Sequence, residues 1–175
     1  MATYRIRAAE NRDAAAIARI HVLSWQSAYQ GLMPEAFLQQ LNIAQRTQQW
    51  RAWLQAMPSK QEEAWVIEDG GQLAGFACCG LIRGEFEPFD SEIYAIYLLP
   101  EKQQRGLGSA LFSACRQALQ QRDLQRHLVW VLRDNQPARQ FYAARGGSPC
   151  FERRQRLGDT LEVDEVGYGW LPPAV

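Results

Sequence analysis

Apolar positions along the chain fall into two alternating periods, and the switches between them mark the elements. Tyr4-Arg5-Ile6-Arg7 alternates like a short strand; Ile17, Ile20, His21, Trp25, Ala28 and Tyr29 then recur at helical spacing from Ala14 onward, behind Asp13. Gly31 breaks that helix, Phe37, Leu38 and Leu41 give a short second one after Pro34, and Trp50, Trp53 and Leu54 mark a third. After Pro58 the period becomes two. Ala64-Trp65-Val66-Ile67 and Leu73 to Ile82 read as antiparallel strands joined at Asp69-Gly70-Gly71, and Glu92 to Leu99 as the next strand, stopped by Pro100. The loop 103–108 enters a helix carrying Leu107, Leu111, Ala114, Cys115, Ala118 and Leu119. His127 to Leu132 is a β-rich run, Pro137 to Ala144 a short helix, and strands at 151–156 and 161–170 flank the turn Leu157-Gly158-Asp159-Thr160. This order predicts an α/β (α+β) fold, a single mixed, mostly antiparallel sheet flanked by helices, with residues 1–175 as one domain.

Composition narrows the function. The 175 residues suit one core without staples, and 19 Lys plus Arg balance 19 Asp plus Glu, so no global field favours nucleic acid as a partner. The start has no basic end followed by an apolar run, and no stretch approaches the roughly 20 apolar residues of a membrane span; no membrane association and a cytoplasmic location are expected. Cys78, Cys79, Cys115 and Cys150 form no CxxC pair and have only His21 and His127 to join them, so no metal site is expected. Alternation sends Cys78 and Cys79 to opposite faces of their strand.

The chemistry concentrates where the strand at 92–99 gives way to a helix through Gln103-Gln104-Arg105-Gly106-Leu107-Gly108. A helix start offers unpaired N–H groups and partial positive charge to an anion, and Gly106 and Gly108 clear the approach, with Lys102 and Arg105 nearby. GxxxxGK[ST] would need a lysine after its second glycine, and GxGxxG a glycine where Leu111 stands, so neither nucleotide fingerprint fits.

The loop resembles the [QR]xxGx[GA] signature of the GNAT superfamily of N-acetyltransferases. The resemblance extends upstream through Glu92-Ile93-Tyr94-Ala95-Ile96-Tyr97-Leu98-Leu99-Pro100 and downstream through Asn135-Gln136-Pro137-Ala138-Arg139-Gln140-Phe141-Tyr142-Ala143-Ala144-Arg145-Gly146. It implies acetyl-CoA as cosubstrate and a V-shaped splay between the strands at 93–99 and 127–132. Pantetheine would pair with backbone near Ile96 and Leu98, and the pyrophosphate would rest on Gln103, Gln104, Arg105, Gly106, Leu107, Gly108 and Ser109. Asn135 is either a pantetheine contact or an N-cap. Of the two catalytic residues it suggests, Glu92 would take a proton from the amine and Tyr142 would give one to the departing thiolate. Trp25, Tyr29 and Tyr94, with Tyr97, are either core or acceptor-site residues. The acceptor that the resemblance implies is a primary amine of a small molecule, peptide or protein. The alternative is an acetyl-CoA sensor or interaction module without turnover. The acidic stretch Asp159, Glu162, Asp164 and Glu165 either attracts a cationic amine or covers an exposed hairpin, whose edge is a homodimer contact if uncovered.

Overall fold

The computed structural model describes residues 4–173. The single-domain reading of 1–175 therefore includes five terminal residues that lie outside the described ones. Strands β1 (Tyr4–Ala8), β2 (Glu62–Asp69), β3 (Gln72–Leu81), β4 (Ser91–Leu98), β5 (His127–Leu132), β6 (Ser148–Leu157) and β7 (Leu161–Trp170) form one sheet in the order β1-β2-β3-β4-β5-β7-β6. Every neighbouring pair is antiparallel except β4 and β5. Helices α1 (Ala14–Ala28), α2 (Glu35–Gln39), α3 (Ile43–Ala56), α4 (Leu107–Gln120) and α5 (Gln136–Ala143) flank it.

Alternation along the strands divides the core. Ile93, Val129, Val131, Val166 and Tyr168 pack with Leu111, Cys115 and Tyr142 of α4 and α5 on one face. Phe76 and Cys78 pack with Ile17, Ile20 and Trp50 of α1 and α3 on the other. Cys78 and Cys79 do face opposite ways. A third cluster joins Met33 and Leu38 to Val163 and Leu132, so the tip of the β6–β7 hairpin closes over the end of α1. The third helix is longer than its tryptophans mark, because Asn42 caps it through an Oδ1 bond from the Gln45 N–H at 2.9 Å.

Two irregularities shape the centre of the sheet. Cys78 opposes Ala95 and Cys79 opposes Ile93, which leaves Tyr94 as the extra residue of a bulge. Tyr94 and Ala95 therefore both turn to the α1 face. The second is the splay: β4 and β5 pair only at Ser91–His127 and Glu92–Leu128 and then part. Close approach of β3 to β4 depends on Gly75, where a Cβ would come within 2.7 Å of the Tyr97 carbonyl. Among the described residues no helix is long and apolar enough to cross a membrane, and no group of three His, Cys, Asp or Glu side chains is placed to hold a metal.

Candidate active site

A cleft of about 580 Å³ opens where the two strands part, walled by residues 94–98 of β4 and 129–131 of β5. Leu99 N–H donates to the Ala74 carbonyl on the β3 side at 2.9 Å. Backbone direction alternates along a strand, so the polar groups of Ile96 and Leu98 face the free edge. Ser24 Oγ from α1 donates to the Leu98 carbonyl at 2.7 Å, which leaves the Leu98 N–H facing the cleft.

The helix start forms the cleft's far end. Gly106 is left-handed, at φ +79°, immediately before α4, and Gln104 at φ +58° precedes it in the turn. The side chain missing from Gly108 would meet Phe141 at 3.3 Å, so this glycine lets α4 approach α5. Within α4, the Ala110 N–H is the first to bond back, to Gly106. Residues 104–109 thus present N–H groups without backbone acceptors among the described residues, at the positive end of the helix dipole. Gln103, Gln104, Gly106, Gly108 and Ser109 line the cleft; Leu107 is buried in the core, and Arg105 turns away to pair with Asp69 at 2.7 Å, as Lys102 does at 2.8 Å.

Arg145 occupies the place beside this helix start, a role that its sequence position alone does not reveal. Its guanidinium lies 3.5 Å from the centre of the Phe141 ring, donates to the Phe141 carbonyl at 2.7 Å and to Ser109 Oγ, and borders the cleft. The four-residue spacing from Phe141, on the last turn of α5, to Arg145, in the turn just after it, is the signal that would find it.

Tyr142 is 7% exposed, its ring packed between Phe112, Tyr168 and Trp170 and its edge on the cleft. Burial raises its phenol above the ordinary tyrosine value, so it is held as O–H. Among the described residues that hydroxyl has no hydrogen-bond partner. Asn135 Oδ1 accepts from the Ala138 N–H at 3.2 Å, an N-cap for α5, while the same residue lines the cleft.

Glu92 lies elsewhere. It is 1% exposed, does not line the cleft, and spends its carboxylate on Arg83: Oε1 accepts from Nη2 at 2.5 Å, and Oε2 from Nε at 3.3 Å and the backbone N–H at 3.2 Å. In this arrangement its carboxylate anchors the β3–β4 loop through Arg83 and stands outside the cleft lining.

On the α1 side, Tyr29, Tyr94, Tyr97 and Trp130 line the cleft. Tyr29 and Tyr97 share a hydroxyl–hydroxyl bond of 3.1 Å, and burial raises both phenols. Trp25 stands behind Tyr29, ring centres 5.0 Å apart, and does not line the cleft. Trp130 was hidden in an apolar run, although alternation places it opposite Val129 and Val131. Three of the four hairpin acids are paired: Glu165 with Arg153 at 2.6 Å, Asp164 with Arg154 at 3.1 Å and Arg133 at 3.2 Å, and Glu162 with Arg154 at 3.8 Å.

The family model described as "Acetyltransferase (GNAT) family" matches residues 9–146. The chain is 34% identical to YuaI, an uncharacterised N-acetyltransferase of Bacillus subtilis (strain 168), over 94% of this chain and 91% of that protein. It shares its fold with the PaiA N-acetyltransferase of Thermoplasma acidophilum in complex with coenzyme A, at TM-score 0.74, 17% identity and coverage of 94% and 98%. It shares it also with YncA, a putative acetyltransferase of Salmonella typhimurium with acetyl-CoA, at TM-score 0.71, 20% identity and coverage of 96% and 93%. By matched family model and by relative, this chain belongs to the GNAT acetyltransferase family and is an acyltransferase.

Proposed function

We propose that the protein transfers the acetyl group of acetyl-CoA directly to a primary amine of a small molecule, peptide or protein, as one domain. The observation that carries this reading is the single cleft in which a free strand edge, a helix start with unpaired N–H groups and the Tyr142 hydroxyl meet. Pantetheine lies along Ile96 and Leu98, and the pyrophosphate on the N–H groups of 104–109. The amine nitrogen attacks the thioester carbonyl carbon, and the oxyanion is stabilised by the Leu98 N–H. The C–S bond then breaks, Tyr142 O–H gives its proton to the departing sulfur, and the proton shed by the attacking nitrogen passes through solvent to the Tyr142 oxygen, so that the amide, the CoA thiol and neutral Tyr142 remain.

The first test is a thermal-shift titration with acetyl-CoA, CoA, ATP and NAD. A ligand at 100 times its Kd stabilises the native state by about 2.7 kcal/mol. Shifts with acetyl-CoA and CoA alone are expected; a shift with ATP or NAD and none with either CoA species removes the reading. Binding without thiol release from any amine would favour the sensor.

Arg145→Ala is expected to raise KM for acetyl-CoA about tenfold or more with kcat little changed, since a hydrogen bond to a charged group contributes about 1.5–3 kcal/mol. Arg145→Lys should recover only part, because a lysine lacks the fork that holds Ser109 and a phosphate together. An unchanged KM in steady-state thiol-release kinetics would leave Arg145 as a packing residue.

A further inference from the structure

Resting on the proposed amine acetylation, the protonation chemistry of the cleft limits the class of acceptor. Acetyl transfer needs a neutral nitrogen, and an alkylamine of pKa about 10.4 is neutral in roughly one molecule in 2500 at pH 7, against about one in seven for an α-amine near 7.8. A strongly basic acceptor therefore depends on a protein base at the cleft; Glu62 of β2 acts on Tyr94 from outside the cleft lining, and the other groups nearest the cleft are bonded or buried away from it.

From α1, His21 Nδ1 accepts the Trp50 indole N–H at 3.1 Å, and burial pushes the imidazole down to about 3. From β5, His127 is fully buried with Nδ1 bonded to Ser91 Oγ at 2.8 Å, and burial likewise lowers it, to about 4. Glu92 on β4 is sealed under Arg83. Behind the far wall, Glu165 on β7 is held by Arg153 at 2.6 Å, and that guanidinium stacks on Trp130 at 4.0 Å. Arg46 of α3, on the Tyr97 side, is a cation lying over Trp53. The Cys78 thiol, on the same face, is buried and raised.

What lines the acceptor side is aromatic. Tyr94 donates its hydroxyl to the Leu81 carbonyl at 2.6 Å, Tyr29 and Tyr97 bond to each other, and no aspartate or glutamate lines the cleft among the described residues. At its other end the cleft carries a cation, Arg145. This surface offers no anion to attract an ammonium and no base to deprotonate one, while desolvation favours the neutral nitrogen.

We propose that the acceptor is a weakly basic amine, an α-amine or arylamine with a substantial neutral fraction near pH 7, docked against Tyr29, Tyr94, Tyr97 and Trp130. Its own pKa then sets the pH dependence of the reaction. The neutral-fraction ratio of roughly 350 is cut by lower nucleophilicity; a Brønsted slope of about 0.4–0.5, as for thiols, leaves a preference of at least about tenfold.

The test compares kcat/KM from pH 6 to 9.5 for phenylalaninamide, 2-phenylethylamine and aniline. The first two share a ring and differ in the amine; aniline separates an aromatic from an α-amino source. At pH 7 phenylalaninamide or aniline should exceed 2-phenylethylamine by about tenfold or more. The acid limb for each alkyl or α-amine should break at that amine's own pKa, in the parent protein and in Glu165→Gln alike. A break at one common pH for both amines, its loss in Glu165→Gln, or a preference for 2-phenylethylamine overturns the inference. So does acetyl-CoA binding without turnover of any of the three, whereas absence of an acetyl-CoA thermal shift removes the underlying reading itself.

Discussion

Tyr142→Phe is expected to lower kcat by about 10²–10³-fold while leaving KM for acetyl-CoA within about threefold and Tm within a degree or two. The rate effect follows from removing a positioned proton donor, a contribution of about 10²–10⁴. The small stability effect follows from the packing: the ring stays against Phe112, Tyr168 and Trp170, and the hydroxyl has no partner among the described residues to be left unpaired. Because burial raises this phenol, the group remains protonated across the ordinary pH range and acts as a donor throughout. Thiol-release kinetics at saturating acetyl-CoA, beside a melting curve of the same sample, makes the check. A variant with parental kcat would mean that the thiolate leaves unaided and that Tyr142 is a core residue whose hydroxyl happens to reach the cleft.

The sequence carried the scaffold of this site because the scaffold is periodic. The amphipathic runs of α1 and α4, the alternation of β2 and β3, and the strand–glycine–helix succession at 92–108 are all local signals, and each element appears where its pattern placed it. Gly106 and Gly108 were legible for the same reason, although they differ in role: the first adopts a left-handed backbone, while the second admits Phe141. What stayed hidden depends on partners distant in sequence. The position of Glu92 is decided by a guanidinium nine residues earlier, across a loop whose path has no period. The commitment of Glu165 to Arg153 rests on hairpin register, and the Tyr29–Tyr97 bond joins residues 68 apart. The pairing of Glu162, Asp164 and Glu165 with arginines is likewise set by register and by a distant loop residue rather than by a local pattern.

Arg83→Met is the test of the role of Glu92, and it is expected to destabilise the protein more than Glu92→Gln does. Breaking a buried ion pair from one side costs about 3–5 kcal/mol, because the remaining charge is left without compensation. Here the carboxylate is 1% exposed but the arginine side chain 56%, so water replaces part of the lost interaction and about 2–3 kcal/mol is the expected loss. For a chain of this length that is a fall in Tm of roughly 5–10 °C. Glu92→Gln removes the charge as well as its demand for a partner and keeps an oxygen for the Arg83 N–H, so about 1 kcal/mol is expected. The double variant Arg83→Met/Glu92→Met should recover most of the stability lost in Arg83→Met, since an apolar pair strands no charge. The same variants separate anchor from base. An anchor loses stability in this order, and Glu92→Gln reduces kcat far less than Tyr142→Phe. If Glu92→Gln instead matches Tyr142→Phe in kcat while Tm barely moves, the carboxylate reaches the amine during turnover, the Arg83 contact opens on acceptor binding, and strongly basic amines return to the list of acceptors.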